Sequence, residues 1–219
     1  MSINRDHLAK LISKENERFL AHHPKSGELY AKAQEVMPGG VPMSWMAKWP
    51  GKYPIFVASA QGAHFTDVDG NTYIDLCLGD TGSMTGHSPA PTVSAIKAQA
   101  ERGITAMLPT EDAVIVSSEL SRRFGLPLWQ FTVSATDANR HVIRYSRLIT
   151  GKSKIIVIDR CYHGSVDETF ATLDSQKQTV AREGNIGAPV PLDQTTRVVE
   201  FNDIEAMERA LAQGDVAAI

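Results

Sequence analysis

The second half of this sequence predicts an α/β fold with a mostly parallel sheet and helices on both faces. Short apolar segments alternate there with segments of helical period, and this alternation is typical of parallel strands joined by helices. The first half predicts a small α+β segment of two helices and three short strands. Hydrophobic residues make up 42% of the 219 residues, so the chain can bury a core of ordinary size.

Two surface helices are predicted at 5–20 and 27–36, because apolar residues there recur at helical spacing among charged ones. The second helix ends at Met37-Pro38-Gly39-Gly40, since proline restricts the residue before it and paired glycines favour a turn. Three strands with short turns then predict an antiparallel meander. These strands are 55–58, 63–67 and 72–76.

Helices and strands alternate in the remainder of the chain. The predicted helices are 91–101, 111–124, 138–149 and 204–213, and the predicted strands are 130–133, 154–158 and 196–201. Residues 173–194 are polar and show no period, which predicts a long loop over a site. We assign 1–78 to a small domain and 79–219 to the first part of a large α/β domain. Residues 216–219 suit the start of a buried strand, so we expect a longer parent protein.

Composition excludes several classes of function. The formal charge of −3 and the lack of a long basic run argue against nucleic acid as a partner. Cys77 and Cys161 lie far apart in no zinc-binding spacing, and His22-His23 is interpreted as a solvated pair. No apolar run suits a signal peptide or a membrane span, so we expect a cytoplasmic protein that does not bind membranes.

Two other binding motifs are incomplete. Residues 67–71 resemble the start of a calcium-binding loop, but Thr72 and Leu78 stand where that loop needs glycine and glutamate. The glycines of 79–86 do not form GxGxxG, and no lysine follows them as it does in a P-loop. An ordinary turn and an ordinary loop are therefore favoured, and no metal or dinucleotide site is predicted.

A strand-to-helix junction at 133–139 can bind an anion. The first N–H groups of a helix have no partner within it and lie at the positive end of its dipole, so they bind phosphate well. Ser134 and Thr136 can add hydroxyl donors. The alternative is that Ser134 or Thr136 only caps the helix while Asp137 complements its dipole.

A second segment, 159–164, follows a predicted strand at the end where α/β sheets bind ligands. Tyr162 offers a ring that can stack on a flat heterocycle, His163 offers a hydrogen-bonding group, and Gly164 permits a tight turn. The alternative for this pair is an ordinary buried tyrosine beside a hydrogen-bonded histidine.

Six motifs in order resemble those of the class III aminotransferases, which are fold type I enzymes that depend on pyridoxal 5′-phosphate (PLP), in the style of the glutamate-1-semialdehyde aminomutases. The motifs are Pro38-Gly39-Gly40, the strands of 62–75, Gly86-His87-Ser88-Pro89, Pro109-Thr110-Glu111, Ser134-Ala135-Thr136-Asp137-Ala138 and Tyr162-His163-Gly164. This resemblance runs through most of the chain. It implies the N-terminal half of a homodimeric enzyme with active sites at the dimer interface.

The resemblance also implies which residues bind the cofactor. Ser134, Ala135 and Thr136 would bind the phosphate. Tyr162 would stack on the pyridine ring, and His163 would lie beside it.

Two positions in the phosphate motif depart from the family pattern. Ala135 stands in place of a glycine, so its backbone must keep a negative φ or accept strain. Asp137 replaces a glutamate. We expect a phosphate to fit there with tighter packing or a small displacement.

Activity in this family needs residues that the chain lacks. The family requires a Schiff-base lysine and a carboxylate beside the ring nitrogen, and none of Lys97, Lys152 and Lys154 matches that lysine. The catalytic residues are therefore unknown, and we expect the chain alone not to transaminate while the complete protein does. The implied substrates are an amine or amino acid and a keto acid or aldehyde.

Residues that would select the substrate follow the glycine loop. Met46, beside Trp45, stands where aminomutase-like members carry an arginine for a substrate carboxylate. An apolar or aromatic amine is favoured instead, or else both residues pack against a dimer partner. An aminomutase, which is an isomerase, is an alternative that Met46 mildly disfavours, and a non-catalytic module with this fold is another.

Overall fold

The computed structural model describes residues 3–219 and divides into two compact units, one up to Leu108 and one from Pro109 onward. The predicted boundary at residue 78 concerns the domains of a complete fold and stays a prediction. No helix within 3–219 is long and apolar enough to cross a bilayer. In the same range, no three His, Cys, Asp or Glu side chains are grouped so that they could hold a metal ion.

The first unit combines helices with an antiparallel meander. Its helices are α1 (Arg5–His22), α2 (Pro24–Val36) and α3 (Ala90–Ala100), with short 3-10 segments at Pro38–Gly40 and Ser44–Lys48. Its strands are β1 (Val57–Gln61), β2 (His64–Asp67) and β3 (Thr72–Ile74). Both strand pairs are antiparallel, which confirms the meander. Strand β1 lies further along the chain than predicted, because Gln61 pairs with His64 across a two-residue turn.

The turn between β2 and β3 caps helix α2. The Asp69 carboxylate accepts hydrogen bonds from Lys25 N at 2.7 Å and from Ser26 N at 3.0 Å. The N-cap residue of α2, His23, makes no side-chain cap of its own. A carboxylate from the meander therefore satisfies N–H groups that the helix leaves open, and it joins the helical and β parts of this unit.

His23 is buried, which corrects its interpretation as one of a solvated pair. Only 9% of the residue is exposed, and its Nε2 lies 2.6 Å from the hydroxyl of Tyr73, 50 residues away in sequence. Tyr73 also donates to Asp67 Oδ2 at 2.9 Å. Burial, followed by the Asp67 carboxylate, raises the pKa of Tyr73 to about 12. The sequence pattern missed this network because its members are far apart in the chain.

The second unit is built around a short parallel sheet. Its helices are α4 (Glu111–Phe124), α5 (Ala135–Thr150) and α6 (Ile204–Leu211), and its strands are β4 (Lys154–Ile158), β5 (Ala171–Leu173), β6 (Thr179–Ala181), β7 (Thr196–Val199) and β8 (Val216–Ala218). Strand β4 lies between β7 and β8 and runs parallel to both. The predicted α/β class with a parallel sheet is confirmed.

Strand β4 is buried on both faces. Ile155 and Val157 belong to one core cluster with Ile143 of α5. Ile156 belongs to a second cluster with Ala210 of α6. Successive side chains of a strand point to opposite faces, so a strand covered by helices on both sides must be apolar throughout.

Three predicted elements of this unit differ from the structure. Residues 130–133 form no strand, because they pair with no strand of the described chain, and Val133 is 99% exposed. The predicted loop at 173–194 contains strand β6, which pairs with β5 in an antiparallel hairpin. Its β-branched residues favour a strand despite polar neighbours. Helix α5 begins at Ala135 rather than residue 138, because Ser134 caps it.

Candidate functional site

Helix α5 begins inside the predicted anion-binding junction. Ser134 is its N-cap residue, and the Ser134 hydroxyl oxygen accepts a hydrogen bond from Asp137 N at 3.2 Å. Ser134 therefore caps the helix, as the alternative interpretation proposed. Capping does not occupy the N–H groups of Ala135 and Thr136, which belong to the first turn and have no acceptor within the helix.

The hydroxyl groups of Ser134 and Thr136 remain available as donors. Ser134 Oγ accepts from Asp137 N, and Thr136 Oγ1 accepts from Ser165 N at 2.9 Å. A hydroxyl that accepts from a backbone N–H still has its own proton to donate. Two hydroxyl protons and two backbone N–H groups thus lie together at the positive end of α5, which favours an oxyanion.

The alanine of this motif introduces no backbone strain. Ala135 is the first residue of α5 and is not among the non-glycine residues that have a positive φ. It therefore keeps the negative φ that the sequence analysis required if strain was to be avoided. The side chain of Ala135 is exposed, so a ligand can approach the helix end from solvent.

The second motif forms a turn after the carboxyl end of β4. The chain reverses there with a positive φ of 63° at Arg160 and 80° at Gly164. The Tyr162 ring is 65% exposed, so it is not the buried tyrosine of the alternative interpretation. It makes an edge contact with Phe170, with ring centroids 6.3 Å apart. This contact supports the ring and leaves most of its surface open.

Gly164 brings the two motifs together. A β-carbon added at Gly164 would lie 2.5 Å from Thr136 Oγ1 and 3.0 Å from Thr136 N. Only a glycine allows the turn to approach the helix so closely, and its positive φ requires glycine as well. The structure thus places the turn of Tyr162 and His163 against the first turn of α5.

His163 has an unsatisfied hydrogen-bonding atom. Its Nε2 is buried, and no partner for it exists among residues 3–219. A buried polar atom without a partner is unfavourable, so such atoms mark places where a ligand or further polypeptide completes the structure. The histidine is half-buried as a whole. It therefore has the character expected of a residue beside a bound heterocycle.

Asp159, at the start of the Tyr162 turn, connects that turn to strand β5. Its Oδ1 accepts from Thr172 Oγ1 at 2.6 Å and from Leu173 N at 3.0 Å. Burial acts to raise the pKa of Asp159, but these hydrogen bonds and the charge of Arg160 outweigh it and hold the pKa below its usual range. The ionised carboxylate ties the carboxyl end of β4 to strand β5.

The two residues proposed to select a substrate lie in the first unit. Trp45 is 63% exposed and Met46 is half-buried, both within the 3-10 segment Ser44–Lys48. Trp45 Nε1 lies 3.3 Å from Met43 Sδ. The exposed indole is open to a substrate or to a partner subunit, so both interpretations stay predictions.

Two residues at the site were assigned no role from the sequence, although one of them, Asn139, lies within the predicted junction at 133–139. Asn139 Nδ2 donates to the His163 carbonyl oxygen at 2.8 Å, and Ser165 N donates to Thr136. Asn139 lies four residues after Ala135, and this spacing places it on the same face of the helix as the phosphate motif. This spacing was the signal in the sequence that could have identified it.

Comparisons with known proteins identify the family. The chain matches the family model for aminotransferase class-III over residues 45–219. This chain belongs to the class III aminotransferases. It is 35% identical over 199 residues to a glutamate-1-semialdehyde 2,1-aminomutase of Desulfitobacterium hafniense, a match that covers 89% of this chain and 46% of that relative.

Solved structures of an aminomutase and of an omega-transaminase share the fold. A glutamate-1-semialdehyde-aminomutase from Pseudomonas aeruginosa PAO1 matches with a TM-score of 0.92 and 47% identity, over 100% of this chain and 48% of that one. An omega-transaminase from Sphaerobacter thermophilus matches with a TM-score of 0.78 and 29% identity, over 88% of this chain and 46% of that one. The fold is therefore the PLP-dependent fold type I, and the chain spans about half the length of the relatives it matches.

Proposed function

We propose that this class III aminotransferase chain binds pyridoxal 5′-phosphate at the amino end of α5. We further propose that the complete protein transfers an amino group between an amine or amino acid and a keto acid or aldehyde. One observation carries the proposal: hydroxyl and N–H donors at the helix end lie against a turn that presents an exposed aromatic ring. A cofactor with a phosphate group and a flat heterocycle needs this combination.

Each residue of the site fits one part of the cofactor. The N–H groups of Ala135 and Thr136 and the hydroxyls of Ser134 and Thr136 would bind the phosphate. Tyr162 would stack on the ring, and His163 would use its unpartnered Nε2 for a hydrogen bond at the cofactor. When bound, the cofactor supplies an electron sink for chemistry at the amine-bearing carbon of a substrate. Matched relatives carry related cofactors, since one was solved in complex with PMP and another with PLP bound.

The lysine that would bind the cofactor covalently is proposed to come from outside this chain. Lys152 and Lys154 lie at the amino end of β4, whereas Tyr162 follows its carboxyl end. Lys177 is ion-paired with Glu200. The second unit therefore offers no suitable amine at the site, and we expect the chain alone to be inactive.

The wider setting is also a proposal. We propose that the complete protein is a homodimer, as its resemblance to the family implies. We also propose that it lies in the cytoplasm, because Cys77 and Cys161 are free thiols that suit a reducing compartment. The exposed Trp45 is available either to a partner subunit or to an amine substrate.

An aminomutase is the second candidate function. The 47% identity to the aminomutase of Pseudomonas aeruginosa favours it, whereas Met46 in place of the expected arginine argues against a carboxylate-bearing substrate. The two activities differ in what they consume. An aminomutase would isomerise glutamate-1-semialdehyde without a separate amino acceptor, whereas an aminotransferase would require a keto acid or aldehyde.

Borohydride reduction tests the proposal. The 219-residue chain and the complete protein would each be mixed with PLP, reduced, and analysed by intact mass and peptide mapping. We expect one phosphopyridoxyl lysine in the complete protein, on a peptide outside residues 1–219, and no defined label on the chain alone. A single defined label on Lys152, Lys154 or Lys177 of the chain would overturn the assignment of the lysine. The absence of any label in the complete protein would contradict the proposal that it is a PLP-dependent enzyme.

A further inference from the structure

Two hydrogen bonds clasp the Tyr162 turn to helix α5. Asn139 Nδ2 donates to the carbonyl oxygen of His163 at 2.8 Å. Ser165 N donates to Thr136 Oγ1 at 2.9 Å. Gly164 lies between these two bonds and packs on Thr136 without a side chain. We call these two hydrogen bonds and the Gly164 contact the clasp.

The clasp connects the two parts of the proposed cofactor site. The donors for a phosphate belong to the first turn of α5, whereas the ring of Tyr162 belongs to a turn that follows β4. Affinity for a ligand that contacts both parts depends on the separation between them, because a rigid, pre-set separation avoids the cost of ordering the site on binding. A ligand that contacts only the helix end does not depend on that separation.

Asn139 is suited to this task by its place and by its chemistry. It lies four residues after Ala135 and three after Thr136, on the same face of the helix. Its amide therefore reaches the Tyr162 turn from a position one helical turn after the phosphate donors. A carbonyl oxygen can only accept, so a donor is required. Asparagine supplies this donor without a charge, whereas an aspartate would repel both the His163 carbonyl and a phosphate.

We propose that Asn139 is a positioning residue: by holding the His163 carbonyl it sets the distance between phosphate donors and stacking ring, and so determines recognition of a ligand that has both phosphate and ring. This inference rests on the proposed function, because it assigns a role to a residue that would not contact the cofactor itself. It predicts that loss of the amide weakens binding of the whole ligand and spares binding of phosphate alone.

The test compares two ligands on two matched variants of the full 219-residue chain. Asn139→Leu removes the amide and keeps the size of the side chain. Gln99→Leu is the control, because Gln99 Nε2 also donates to a backbone carbonyl oxygen, that of Gly103, but belongs to the first unit. The ligands are pyridoxine 5′-phosphate, which has no aldehyde and cannot react with lysines, and inorganic phosphate.

Calorimetric titration gives the dissociation constants, and amide hydrogen exchange of Ser165 reports on the clasp without any ligand. For Asn139→Leu we expect a roughly threefold to tenfold weaker affinity for pyridoxine 5′-phosphate, as befits one hydrogen bond, with phosphate affinity changed less than about twofold and faster exchange at Ser165. Gln99→Leu should leave both affinities and the Ser165 exchange rate unchanged. If Asn139→Leu does not fold, Asn139→Ala, which adds no bulk, replaces it.

Three results would overturn the inference. They are an equal loss of affinity for both ligands, no loss for either ligand, and unchanged exchange at Ser165 in the Asn139 variant. Failure of the proposed function gives a different pattern, in which the unaltered chain binds neither ligand while the Asn139 variant still exchanges faster at Ser165.

Discussion

Gly164 packs so closely on Thr136 that a β-carbon at residue 164 would lie 2.5 Å from Thr136 Oγ1 and 2.8 Å from Thr136 Cα. Thr136 Cα is a backbone atom, so no side-chain rotation can relieve this second contact. The contact therefore makes glycine necessary at a point where residues 28 positions apart in sequence form one site.

Gly164→Ala should destabilise the second unit and separate its two motifs. We expect a loss of about 3 kcal/mol in the free energy of unfolding, from a left-handed φ combined with overpacking. Gly184→Ala is the matched control, because Gly184 also has a positive φ, of 91°, but its added carbon would meet open space. It should cost only about 1 kcal/mol. Urea unfolding monitored by circular dichroism measures both, and equal losses would contradict the close contact.

The ring of Tyr162, rather than its hydroxyl, should matter for ligand binding. Tyr162→Phe keeps the ring and should bind pyridoxine 5′-phosphate like the unaltered chain. Tyr162→Ala removes the stacking surface and should weaken binding roughly fivefold, which corresponds to about 1 kcal/mol. Fluorescence or calorimetric titration measures both constants. An equal effect of the two variants would show that the ring does not stack on the ligand.

Tyr73 should ionise only in strongly alkaline solution. Its pKa is raised to about 12, first by burial and then by the Asp67 carboxylate. Because the folded pKa lies above the ordinary value of 10.0, the neutral hydroxyl stabilises the fold fully below that pH, and this contribution is lost as the pH rises towards 12. Absorbance at 295 nm, as the difference between the unaltered chain and Tyr73→Phe, measures the titration. A midpoint near 10 would contradict the network.

The pair of Asp75 and His87 should stabilise the first unit at neutral pH. The hydrogen bond from His87 Nε2, at 2.6 Å, holds the pKa of the Asp75 carboxyl below its usual range. The contribution is therefore present above the pH where an unfolded aspartate titrates, about 3.9, and disappears as the pH falls further. Asp75→Asn should lower the urea midpoint at pH 7 and have little effect at pH 3.

Asp80→Asn serves as the control for that experiment. Asp80 is exposed in the same loop region with a positive φ of 54°, which asparagine also tolerates. Its substitution should leave the midpoint unchanged at both pH values. If Asp80→Asn reproduced the effect of Asp75→Asn, general loss of loop charge would explain the result better than the hydrogen bond between Asp75 and His87.

Elements whose signals are local were predictable from the sequence. Helix α4 has the bounds that apolar spacing predicts, and strand β4 has the bounds of its apolar run. Both depend on a residue's near neighbours in the chain. The position of Ser134 and Thr136 at a helix start was predictable for the same reason, because caps and anion sites share a sequence signature.

Elements that depend on distant partners were not predictable. Residues 130–133 have the composition of a strand, but a strand also needs a neighbour, and they pair with no strand of the described chain. Strand β6 was missed because its three residues lie in a polar stretch, where their β-branched side chains are too weak a signal without the pairing with β5. Asn139 and Ser165 were missed in the candidate site for a similar reason, since their roles follow from a contact between segments and not from either segment alone.

Titration of pyridoxine 5′-phosphate into the chain and into the double variant Ser134→Ala/Thr136→Val tests the central claim most directly, because these substitutions remove both hydroxyl donors at the start of α5. They also remove the acceptors of Asp137 N and Ser165 N, so amide exchange at Ser165 is measured in both proteins to separate loss of the clasp from loss of the phosphate donors. The account predicts one saturable site in the unaltered chain and an affinity at least roughly tenfold lower in the variant, since hydrogen bonds to a charged phosphate are worth about 1.5 kcal/mol or more each. Equal affinity of the two proteins, or no binding to either, would contradict the assignment of this helix end as the phosphate site.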